Sequence, residues 1–107
     1  MLYLQFKEGV QLTITQAVNK ILTAGEFVFR TVVNKPCVVT SGSDGQHQEH
    51  SKHYTHEALD FRRFHLEAHE VCPVVEALKH TLGQDFDVVI EGDHFHIEFD
   101  PKGKKVK

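Results

Sequence analysis

The chain has 107 residues, 40% of them hydrophobic, carries a formal charge of −3 and holds nine histidines but no tryptophan. Such a length allows one domain, 1–107, around a modest single core, and the acidic balance argues against a general nucleic-acid binder. No run approaches the ~20 apolar residues of a membrane span, so no membrane partner is expected.

The opening "MLYLQFKEGV" has neither the basic region nor the apolar stretch of a signal peptide, which points to cytoplasmic synthesis. Thr13-Ile14-Thr15-Gln16 has the capping-box pattern, and Ile14, Val18, Ile21, Gly25, Val28 and Val32 then step by four and three along one helix face. The spacing predicts a helix to about residue 33, bent at Gly25, which "NKP" breaks. "CVVT" reads as a short buried strand, and Gly42 and Gly45 open a histidine-rich loop. "ALDFR" reads as a strand with Leu59 and Phe61 on one side and Ala58, Asp60 and Arg62 on the other. Pro73 suits the first turn of a helix that runs to about Leu82, with Val74, Ala77, Leu78 and Leu82 inward, and Gly83 ends it. "FDVVIEG" and "HFHIEF" form a hairpin. Cys37 and Cys72 lie in apolar runs and are expected to be buried, reduced and unpaired. The lysine-rich tail, 101–107, reads as solubilising. The expected fold is α+β, a small antiparallel sheet with packed helices.

The last strand carries the chemistry. Phe95, Ile97 and Phe99 form its core side, which leaves His94, His96 and Glu98 on the other. If "ALDFR" and "HFHIEF" share a sheet, Asp60 and His96 converge. The loop "SGSDGQHQEHSKHYTHEALDF" adds His47, His50, His53 and His56 at intervals of three. His53, at the loop exit, supplies a third ligand, and two imidazoles with one carboxylate leave a tetrahedral position open, as in catalytic zinc sites. Three other readings compete. "HEALD" begins like a helical HExxH motif, but its flanks favour a strand. Two histidines and a carboxylate also suit non-haem iron, whose usual barrels need more strands than this chain can build. A histidine-rich surface without metal accounts for His65, His69 and His80.

"SKHYTHEALD" is similar to the S-x-H-x-x-G-x-A-x-D signature of the zinc D-Ala-D-Ala metallopeptidases, and "DHFHIEF" resembles their closing H-x-H strand. "VVTSGSDGQH" resembles the lead-in to the first ligand in small phage and bacterial members. The resemblance covers roughly residues 13 to 100, and the group includes lysostaphin-type endopeptidases and the hedgehog signalling domain. It implies a hedgehog/DD-peptidase-like fold, Zn2+ held by His53, Asp60 and His96, Asp93 as the acid that handles protons, and His94 beside the metal. His47 is the candidate second stabiliser of the transition state, with a solvated loop histidine as its alternative. Ser51 is a candidate substrate contact. Arg62 is either a cation for a terminal carboxylate, a role Arg63 shares, or a partner of Asp60. Glu91 is the alternative base. His56 stands where the signature has Gly, and Ser43 and Asp44 stand where many members carry Arg. The implied activity is hydrolysis of peptidoglycan stem peptides, by a D-Ala-D-Ala carboxypeptidase or an L-Ala-D-Glu type endopeptidase. That role suits a small phage lysin, a phage assembly protein or a wall-recycling enzyme. The alternative is a non-catalytic, zinc-stabilised binding module of the same fold.

Overall fold

A computed structural model describes residues 2–42 and 57–101 of the chain. Five strands form one mixed sheet, β1 (Leu4–Phe6), β2 (Cys37–Ser41), β3 (Ala58–Arg62), β4 (Phe86–Ile90) and β5 (His94–Phe99), in the order β1-β2-β3-β5-β4. Two helices, α1 (Gln16–Val28) and α2 (Ala68–Leu82), complete an α+β domain. The sheet is not wholly antiparallel, because β1, which the sequence did not announce, adds to β2 in parallel. The remaining pairings are antiparallel. Among the described residues no helix is long and apolar enough to cross a membrane.

Thr15, not Thr13, caps α1, its hydroxyl accepting from the Val18 amide. The helical path continues beyond Val28 as a π-helical turn, Phe29–Val33, and stops at Asn34, which takes the left-handed conformation (φ 55°). Val18, Ile21 and Val28 are buried, as their spacing predicts, but Ile14 and Val32 are exposed. Ile14 precedes the cap, and Val32 lies in the π turn, where the 3.6-residue period no longer holds. Helix and sheet approach closely at Gly25, where a Cβ would lie 2.7 Å from both Cys37 Sγ and Phe61 Cζ. α1 is continuous through Gly25, whose missing side chain makes room for this contact.

α2 begins five residues before Pro73. Glu67 is its N-cap, in a reciprocal capping box with Glu70. Pro73 therefore lies inside the helix. Cys72 is exposed there, contrary to expectation, while Cys37 is buried; both thiols are free. Burial pushes the Cys37 thiol well above its ordinary pKa.

The core joins Val18, Ile21 and Val28 of α1 and Val74 and Leu78 of α2 to Leu59, Phe61, Phe95 and Ile97 of the sheet. Phe29 of the π turn sets its ring edge-on to Phe61, with centroids 6.1 Å apart. By the two-residue period, the sheet then turns Ala58, Asp60 and Arg62 of β3 and His94, His96 and Glu98 of β5 to its other face.

Candidate functional site

β3 and β5 lie side by side with Asp60 opposite His96, Arg62 opposite His94 and Ala58 opposite Glu98. Directly opposed side chains on one face are within contact distance, so the register alone sets a carboxylate against an imidazole. A β-bulge in β2 adjoins them: Val39 pairs with Phe61 and Ser41 with Asp60, so Thr40 is the extra residue, and its hydroxyl approaches the Asp60 carbonyl at 3.4 Å. Bulges of this kind bend the bulged strand and re-aim nearby side chains.

Asp60 is the buried acid of the described structure, 8% exposed. Its Oδ1 lies 3.0 Å from His96 Nδ1, and its Oδ2 lies 3.6 Å from His94 Nε2. The carboxylate bonds His96 and lies close to His94. The other nitrogen of each ring meets another acid, with His96 Nε2 2.9 Å from Glu98 Oε1 and His94 Nδ1 2.7 Å from Asp93 Oδ1. The hydrogen bond to Asp60, reinforced by Glu98 and opposed by burial, raises the His96 pKa from 6.5 to about 9. At neutral pH the metal-free imidazolium donates to both carboxylates. Asp93 is the outermost member, its side chain 80% exposed. The bond to His94 holds its carboxyl below the ordinary pKa.

The hairpin turn that carries Asp93 is tied to the end of β3. The guanidinium of Arg63 donates to the carbonyls of Glu91 (2.8 Å) and Gly92 (2.9 Å), and its amide donates to the Asp93 carbonyl. Arg63 is therefore a clamp on the turn, not a free cation. Glu91 is exposed in that turn.

Two of the three ligands that the resemblance implies, Asp60 and His96, lie among the described residues, and their spacing is compatible with zinc. Two ligand atoms ~2.0–2.1 Å from a tetrahedral zinc lie roughly 3.4 Å apart, and the Asp60–His96 pair is within a few tenths of an ångström of that at 3.0 Å. Glu98 occupies the far nitrogen of His96, the arrangement that fixes a histidine ligand's tautomer and orientation. Of the residues that the sequence singles out, Asp60, His94, His96 and Asp93 come together, and Arg62 stands beside them. His47, Ser51 and His53 lie outside the described residues, as do Ser43, Asp44, His50 and His56.

Glu98 was visible in the sequence only as a third polar residue on the His94–His96 side; its grip on His96 follows from side-chain reach. Past it, Asp87, Glu98 and Asp100 place carboxylate oxygens within 4.8 Å of one another. Cross-strand pairing of Asp87 with Glu98 makes this cluster, and exposed acids gather in this way without an ion. A cavity of about 650 Å³ opens between the end of α2 and β4, with Lys79, His80 and Phe86 in its walls. It contains neither imidazole of the β5 pair. A smaller one, about 310 Å³, adjoins His94 and Asp93.

No model of a known protein family matches this sequence, and a search of curated proteins found no match.

Proposed function

We propose that the chain is a zinc-dependent peptidase of the hedgehog/DD-peptidase fold that hydrolyses peptide bonds in bacterial cell-wall stem peptides. The observation that carries this reading is the Asp60–His96 pair, 3.0 Å between carboxylate and imidazole, with the His94–Asp93 pair at its flank. The motif order, "SKHYTHEALD" before "DHFHIEF", supports it from the sequence.

Asp60 and His96 hold the ion in this reading, and His53 completes the set. Bound zinc supplies Lewis acidity toward the scissile carbonyl and acidifies water at neutral pH. Asp93, largely exposed and held against His94 at 2.7 Å, accepts a proton at its carboxylate and returns it to the leaving amine. The His94 ring, anchored through Nδ1 on Asp93 and with Nε2 3.6 Å from Asp60 Oδ2, stands beside the reacting carbonyl as one candidate to polarise its oxygen. His47 is the second donor and Ser51 a substrate contact. Glu98 keeps His96 oriented and takes no part in proton transfer.

The test is digestion of purified peptidoglycan by the zinc-loaded full chain, with mass spectrometry of the released products. Amino acids or peptides cut from the stem are expected. Intact stems across the common peptidoglycan chemotypes would remove the peptidase and leave the zinc-stabilised binding module.

A further inference from the structure

The sheet ends in two unlike edges. β1, at one end, is three residues long. β4, at the other, is five residues long, and among the described residues no strand pairs with its outer side. Natural edges are blunted by lysines, prolines or bulges. β4 reads FDVVI, without lysine or proline, and its register against β5 runs unbroken.

The hairpin decides which backbone groups of β4 point outward. The Glu91 amide donates to the His94 carbonyl, and the Asp100 amide donates to the Asp85 carbonyl. Bonded positions alternate along an antiparallel pair, so Asp87 and Val89 also turn their amides and carbonyls towards β5. Phe86, Val88 and Ile90 turn theirs away from it. The Phe86 amide donates to the Gly83 carbonyl. The Phe86 carbonyl and the amides and carbonyls of Val88 and Ile90 therefore line the outer edge. Apolar side chains accompany them: Val89 is 43% and Ile90 45% exposed. The cavity of about 650 Å³ opens between this edge and α2.

We infer that β4 pairs antiparallel with β4 of a second copy of this chain, about a two-fold axis at Val88. The edge is self-complementary in that register. Val88 donates to and accepts from its counterpart, and each Ile90 amide donates to the Phe86 carbonyl of the other copy. Ile90 then covers Phe86, which lines the cavity, as an aromatic–β-branched cross-strand pair. Asp87 faces Val89 of the other copy. A slip of two residues in one direction sets Asp87 against Asp87, and in the other sets Asp87 against Glu91. Like charges directly opposed are unfavourable. In the Val88-centred register acids approach each other, as Asp85 and Glu91, only beyond the ends of the strands. The axis stands perpendicular to the sheet, so both copies turn their Asp60–His96 pairs to one side. Four strand spacings of ~4.8 Å separate the two pairs by roughly 19 Å. Pairing at this edge is independent of the peptidase reading.

Sedimentation velocity of the full chain from about 1 μM to about 1 mM, with hydrogen exchange of the β4 amides, tests this. A concentration-dependent dimer is expected, in which the Val88 and Ile90 amides exchange at least about tenfold more slowly than in the monomer. Ile90→Lys sets a charge against Phe86 of the other copy and should raise the dissociation constant at least about tenfold. Val89→Lys sets its ammonium against Asp87 of the other copy and should keep or tighten the dimer. Both side chains are exposed, so both variants keep the fold. A chain that stays monomeric to about 1 mM overturns the inference. So does a dimer that Ile90→Lys leaves intact, that Val89→Lys abolishes, or whose Val88 amide exchanges as fast as the monomer's. Slow exchange of Val88 and Ile90 in the monomer overturns it as well, because the chain would then cover this edge itself.

Discussion

Asp60 and His96 are opposed across β3 and β5, with carboxylate and imidazole 3.0 Å apart. Asp60 is buried, and both nitrogens of His96 are engaged, one by Asp60 and the other by Glu98. Each of the following expectations tests a consequence of that arrangement.

His96→Ala should release zinc from the purified protein, while His80→Ala, on the exposed last turn of α2, should retain it. Elemental analysis of both variants decides this. Zinc retained by His96→Ala would mean that other histidines hold it.

Glu98→Gln should keep the fold and weaken zinc by about 10–100-fold, the usual cost of losing the carboxylate behind a histidine ligand. Competition against a chromophoric chelator measures it. Unchanged affinity would show that Glu98 does not orient His96.

In the metal-free protein, stability should depend on His96. Its folded pKa, about 9, lies above the ordinary 6.5. The contribution is therefore fully present below pH ~6.5 and is lost as pH rises through ~9, with an upper bound of ~3 kcal/mol. Zinc requires the deprotonated ring, so zinc affinity should rise over the same interval. Thermal denaturation in a chelator and in excess zinc, at pH 6, 8 and 10, separates the two slopes. A metal-free melting temperature that climbs from pH 6 to pH 10 would contradict the raised pKa.

Gly25→Ala should destabilise the protein by ~1–3 kcal/mol, since its Cβ meets Cys37 and Phe61 in a filled core. Chemical denaturation measures it. An unchanged midpoint would mean that α1 can withdraw from the sheet at no cost.

The strands that build the site were legible because their alternation is unambiguous. In "HFHIEF" and "ALDFR" the apolar and polar sides separate cleanly, and both strands have the expected limits. Alternation says which residues share a face, not which meet across strands. The register that opposes Asp60 to His96 depends on the whole sheet. β1 is three residues long with two exposed, so it leaves no periodic signal and exists through its pairing with β2. The start of α2 was hidden because its cap is a glutamate, Glu67, whereas Pro73 resembles a helix opening. Cys72 has apolar neighbours in sequence but lies on the outer side of that helix. Arg62 and Arg63 are adjacent and alike in sequence, and only the fold separates a turn clamp from a cavity cation.

The most direct test is a paired measurement on wild type and Asp93→Asn, of zinc stoichiometry and of stem-peptide cleavage. Asp93 touches His94 and is largely exposed, so its near-isosteric replacement should leave fold and metal intact. Loss of a general acid–base lowers the rate by ~10²–10⁴. The expected result is about one zinc per chain in both proteins, with cleavage confined almost wholly to wild type. Equal cleavage by the two would remove Asp93 from the chemistry. A wild type that holds no zinc when zinc is supplied, or that cleaves no stem peptide, would contradict the assignment of this site as a metallopeptidase centre.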